Sequence, residues 1–307
     1  MSYFYSYLSI LILIISNSFA IEIKIVLKID NEIITNLDIK KEGRYLSSLN
    51  TNFSNLSSDQ IYEISKNSLV REKIKEKYIS KFFEQTVIEE KTLNNYIMNL
   101  FNKLNLKSIE EFENYLNKNN LNLNYVKNKI NIELLWNRLI YYKYKSKLKI
   151  DEDEIKKELS NTKIIQSKKF FLQEILFEIK EKEKISEKYQ KIKNEIFNSS
   201  FGKAALLYSL SDTSTNNGNI GWINQSSLNQ NILKKINVLN VGDISNPITV
   251  PGGFLILKIK EVEIERKNID IEKELEKIIK SKTNQQLNQY SLIFYNKIKK
   301  DISINEL

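Results

Sequence analysis

The chain has 307 residues, 41% hydrophobic and 28% charged, which is enough to bury a sizeable core in roughly one to three domains. It contains neither cysteine nor histidine, which excludes disulfides, thiolate nucleophiles, zinc–thiolate sites and any mechanism built on imidazole. The formal charge is +9, but lysine is spread along a Lys/Asn/Ile/Tyr-rich chain with no compact basic block, so no nucleic-acid partner is expected.

Residues 1–20 read as a secretory signal. An apolar run from Leu8 to Ile15 precedes Ser18 and Ala20, small residues at the −3 and −1 positions of a cut after Ala20. The run is short for a membrane span. No Lys or Arg precedes it, so an uncleaved anchor is the alternative. Export with no cysteine fits the periplasm. Next, Ile21, Ile23, Ile25 and Leu27 alternate as in a strand, and Asp30-Asn31 marks a turn. Thr35 with Asp38, and then Ser57 with Gln60, have the spacing of capping boxes that open helices. The chain stays helical to about 165, with Trp136 expected as a core anchor and "DEDE" (151–154) opening a helix at its positive end.

At about 168 the pattern changes. "KKFFLQEILFEIK" alternates, two helical segments follow, and "DTSTNNGNIGWI" leads from a loop into a strand. A short helix, a turn, a strand and a long final strand complete the order β-α-α-β-α-β-β. Six of the seven glycines, Gly202, Gly218, Gly221, Gly242, Gly252 and Gly253, lie here, as do both prolines, Pro247 and Pro251. From 268 an amphipathic helix carries Leu275, Ile278, Leu287, Tyr290 and Ile298. It ends in "DISINEL", a β-like tail expected to pair with the strand at 21–29.

Three pieces of this window resemble the parvulin rotamases: Gly218-Asn219-Ile220-Gly221-Trp222, then Val241-Gly242-Asp243-Ile244-Ser245-Asn246-Pro247, then Gly253-Phe254-Leu255-Ile256. "DNEIITNLDI" and "ELLWNRLIYYKYKSKLKIDEDEI" resemble the N-terminal domain of SurA-type periplasmic chaperones. The resemblance implies an α+β chain with a signal at 1–20 and a mostly helical chaperone domain at 21–165. A parvulin-like, FKBP-like antiparallel-sheet domain with short helices would span 166–263. A helix and strand at 264–307 would pack back on the N-terminal domain.

Parvulins lower the barrier to the slow rotation about the prolyl amide, a partial double bond, with an apolar proline pocket and a polar network of two histidines and a Cys or Asp. By resemblance, Glu174, Ser211 and Leu255 occupy the network positions, with Asp212 beside Ser211. Leu228 and Ile232, flanked by Trp222 and Phe254, make the pocket. Glu174 and Ser211 or Asp212 could hydrogen-bond an amide in place of imidazole. The plainer reading makes Glu174 a solvated strand residue, Ser211 or Asp212 a loop hydrogen-bonder and Leu255 core. The implied function is a periplasmic chaperone for unfolded outer-membrane proteins with weak or absent isomerase activity. The alternatives are a working prolyl isomerase and a foldase tethered to the inner membrane. No cofactor or metal is implied, and no stable membrane insertion once the signal is cut.

Overall fold

The computed structural model describes residues 22–84, 86–160, 165–180, 182–267 and 270–307. The signal-like segment and Ile21 lie outside them. Strand β1 (Ile25–Ile29) turns back through Asp30, at φ 49°, into β2 (Glu32–Thr35). The alternating face is buried only in its second half: Leu27 and Ile29 are 1% and 2% exposed, Ile23 and Ile25 66% and 46%. The pairing with β2 shifts register between Ile25 and Leu27, which ends the regular alternation there.

Both capping boxes form. Thr35 and Asp38 cap α1 (Asn36–Leu49), with Thr35 Oγ1 accepting from the Asp38 amide at 3.2 Å. Ser57 and Gln60 cap α2 (Ser58–Phe82) reciprocally. Helices α3 (Glu90–Lys103), α4 (Ile109–Lys118) and α5 (Leu123–Tyr144) follow. They enclose a core of Ile97, Phe101, Phe112, Leu116 and Val126. Helix α6 (Glu152–Ser160) begins within the acidic run.

The second unit is a four-stranded antiparallel sheet in the order β4-β3-β6-β5, formed by β3 (Ile165–Phe177), β4 (Asn219–Asn224), β5 (Ile248–Val250) and β6 (Gly253–Lys267). Helices α7 (Ile185–Asn198), α8 (Phe201–Tyr208) and α9 (Gln230–Ile236) fill its connections. Period-2 alternation sends the two faces to different cores. Ile175, Phe177 and Ile256 meet α7 and α8, while Leu172, Leu176, Leu255 and Leu257 turn toward α9.

Helix α10 (Ile271–Lys299) then returns across the chain, and β7 (Ile304–Glu306) joins β1 antiparallel, making the sheet β2-β1-β7. Phe294 and Ile298 of α10, with Ile302, enter one core with β1, β2, α2 and α5. Trp136 is fully buried there, stacked on Phe294 at 5.6 Å and donating its indole N–H to Ser291 Oγ at 2.8 Å. Trp136 is a core anchor.

Candidate functional site

Leu172, Glu174 and Leu176 stand on one face of β3, cross-strand from Ile259, Leu257 and Leu255 of β6. That face borders a cavity of about 380 Å³, closed on its far side by α10 and by Asn137 of α5. Glu174, Ser211, Leu255, Leu228 and Ile232 all line it. The structure brings these five together from four separate stretches of chain.

Two backbone devices hold the carboxylate in place. The Glu174 amide donates to the Gly218 carbonyl at 2.7 Å, and a Cβ built on Gly218, at φ 72°, would lie 2.4 Å from the Glu174 carbonyl oxygen. Only glycine allows that approach. Ser211 caps a 3-10 turn at Asp212–Asn216, which sets its hydroxyl and that of Thr213 side by side. Both donate to Glu174 Oε1, at 2.6 and 2.9 Å.

Glu174 is therefore not a solvated strand residue. Burial pushes its carboxyl above the ordinary 4.5, Asp212 adds to the rise, and the Ser211 and Thr213 hydrogen bonds hold it back only in part. Asp212 cannot stand in for Ser211, because its Oδ1 pairs with Arg71 at 3.2 Å and Lys75 at 3.6 Å on α2. Burial works to raise Asp212, but Lys75 and Arg71 outweigh it and leave the carboxyl below its usual range. What remains beside the apolar floor is a hydroxyl–carboxyl clamp that can hydrogen-bond an amide but has no imidazole.

Two residues expected in the pocket leave it. Phe254 precedes Leu255 and so points to the opposite face of β6, where it packs with Ile175, Phe177 and Ile192. Trp222 is 44% exposed and meets Phe171 edge-on at 5.5 Å, whereas Ile220 and Ile223 line the cavity. The positive φ of Gly221 lies where the β3–β4 register shifts between Leu172 and Gln173, which resets the alternation. Thr213, Ser227 and the polar residues of α10 also reach the cavity. For Thr213 the hydroxyl-rich run after Ser211 is the only signal, and for α10 it is the "TNQQLNQYS" stretch (283–291). Among the described residues no His, Cys, Asp or Glu cluster could hold a metal ion.

The raised carboxyl sets a pH dependence. The folded state keeps the Glu174 proton at pH values where the unfolded state has released it. Stability from this group is then complete below 4.5 and falls as pH rises through the elevated value. In Glu174→Gln that loss disappears, so the variant's urea midpoint is expected to gain on the parent's as pH rises from 4.5 toward neutrality. A difference between the two that stays flat with pH would contradict the clamp's protonation.

Residues 172–261 match the family profile of the PPIC-type PPIase rotamase domain. Over 179 residues the chain is 28% identical to Chaperone SurA of Pseudomonas aeruginosa, covering 54% of this chain and 42% of that protein. Over 166 residues it is 25% identical to Chaperone SurA of Pseudomonas putida, covering 50% and 38%. The matched region thus spans less than half the length of these curated relatives. Among solved structures, a SurA-like chaperone of Campylobacter jejuni is similar, at 15% identity and a TM-score of 0.37, over 92% of this chain and 98% of that one.

Proposed function

We infer that this chain, which carries a PPIC-type parvulin module and is similar to SurA chaperones over about half its length, is a polypeptide-binding chaperone of the periplasm. Its clients on this reading are unfolded outer-membrane proteins, and its parvulin module binds peptide with weak or no isomerase turnover. The helical region at 21–165 serves as chaperone body, 166–263 as the peptide-binding module, and 264–307 as the segment that completes the body. Residues 1–20 direct export with cleavage after Ala20. Among the described residues no helix is long and apolar enough to cross a membrane.

One observation carries this reading. The cleft keeps its apolar floor of Leu228, Ile232 and Leu255, while Glu174 is clamped by Ser211 and Thr213 and no imidazole exists in the chain. The floor can bury an apolar side chain, at about 25 cal/mol per Å². In the clamp, Glu174 Oε1 already accepts both hydroxyls.

The test pairs two assays on one preparation. The chain is expected to suppress aggregation of a urea-unfolded β-barrel protein, and to leave a proline-limited refolding phase within about twofold of buffer. Strong acceleration, abolished by Leu228→Ala with Ile232→Ala, would instead establish the second reading, a working prolyl isomerase. That reading is favoured by the raised Glu174 carboxyl, whose neutral form could donate to a twisting amide.

A further inference from the structure

The cavity is not walled by the parvulin face alone. Ser281, Asn284, Gln285, Asn288 and Gln289 recur at spacings of three and four along α10 and form one polar stripe facing the leucine floor. Resting on the peptide-binding reading above, we propose that α10 is the second half of the site. The floor and the helix together bind one extended, uncharged peptide segment. An aliphatic or prolyl side chain sits on Leu228, Leu255 and Leu257, and the backbone is held by Gln285, Gln289 and Ser227.

Four observations identify this occupant. Among the described residues the carboxamides of Gln285 and Gln289 make no hydrogen bond, although α10 commits its neighbour Gln286 to the Lys149 backbone at 2.7 and 2.9 Å. Ser227 is 3% exposed and borders the cavity, and its hydroxyl has no hydrogen-bond partner among the described residues. A buried hydroxyl left so is costly, and a ligand carbonyl or N–H relieves it. Among the described residues no Lys or Arg lines the cavity, in a chain that has 47 of them, which disfavours a phosphate or carboxylate ligand. Asp212 is already paired with Arg71 and Lys75, so its charge is not free to counter a cation.

Carboxamides both donate and accept, as a peptide backbone does. The volume falls in the range of ligand pockets, about 300–1,000 Å³. Contacts from the module to α10 hold the wall in place: Asn224 Nδ2 donates to Glu274 Oε1 at 2.9 Å, and Leu292 packs against the floor cluster.

The test is a titration of the isotope-labelled full chain with the blocked tetrapeptide acetyl-Ala-Leu-Pro-Ala-amide. The Leu255 methyls and the Gln285 and Gln289 side-chain amides are expected to shift together with one Kd. Gln285→Ala with Gln289→Ala is expected to weaken that Kd about tenfold, because two backbone hydrogen bonds are lost. Alanine favours helix, so α10 persists in this variant and its melting curve verifies that. As a second variant, Leu228→Ser is expected to weaken binding from the floor side. The inference is overturned if the Leu255 methyls shift while both glutamine amides stay put, if the double-alanine variant binds as tightly as the parent, or if no signal moves. Failure to suppress client aggregation while the peptide still shifts both walls would overturn the chaperone reading alone.

Discussion

A chain that stops at residue 165 is expected to lose its cooperative urea transition, and the same residues joined by a flexible linker to 270–307 are expected to regain it. The main core of the helical region is made from both ends of the sequence. Phe294, Ile298 and Ile302 are buried among Leu27, Ile29, Ile74 and Leu139. Tyr290 stacks on Tyr144 at 4.6 Å with the rings 4° apart, and Trp136 gives its N–H to Ser291. Burying a large apolar side chain stabilises by roughly 1.5–3 kcal/mol, so the three lost residues remove about 5–9 kcal/mol. Native domains have only about 5–15 kcal/mol in all. The cut also strips β7 from β1, leaving a bare edge in a two-stranded sheet. Matching urea midpoints for the truncated and full chains would show that this core does not depend on α10.

Lys129→Met is expected to destabilise the chain by about 3–5 kcal/mol, the usual cost of removing one partner from a buried ion pair. Glu42 is 1% exposed and takes three donors: Lys129 Nζ at 2.6 Å, Tyr125 OH at 2.7 Å and Ser68 Oγ at 2.6 Å. Lys129 also pairs with Glu72 and lies 5.1 and 5.0 Å over the rings of Tyr45 and Tyr125. Burial pulls the Lys129 ammonium down, yet Glu42 and Glu72 hold it above its usual range, so the cluster keeps its charge. Without the ammonium, a buried carboxylate has only two hydroxyl donors and a second carboxylate nearby. Adding Glu42→Gln to Lys129→Met is expected to recover part of the loss, since the amide needs no counter-charge. Equilibrium urea unfolding of the two variants decides the matter. A loss below about 1 kcal/mol for the single change would mean that water reaches the cluster.

Local devices are legible in the chain itself. Thr35 with Asp38 and Ser57 with Gln60 cap where their spacing says, because a capping box closes within four residues. The element order of the parvulin unit is equally legible from alternation, helical stripes and the glycine and proline turns. That Glu174, Ser211, Leu228, Ile232 and Leu255 border one cavity is legible only through the resemblance. Nothing in their own spacing joins stretches that lie 17 to 37 positions apart along the chain.

Phe254 and Trp222 show the limit of such a transfer. A strand sends neighbours to opposite faces, and the register shift at Gly221 changes which residue points inward, so one position decides between cavity and outer surface. The buried cluster of Glu42, Glu72, Tyr125 and Lys129 leaves no trace in the sequence, where each reads as a polar helix residue. The same holds for the Arg71–Asp212 contact and for the glutamines of α10 that face the leucine floor.

By itself, then, the amino-acid order determined the elements, their caps and turns, and the absence of imidazole and thiol chemistry. These depend on side-chain type and on partners a few residues away. Which carboxylates are buried, which face of β6 meets the cavity and which helix closes it were decided only by the tertiary fold. Those outcomes turn on desolvation and packing between segments on the order of a hundred residues apart, where sequence spacing carries no geometric information.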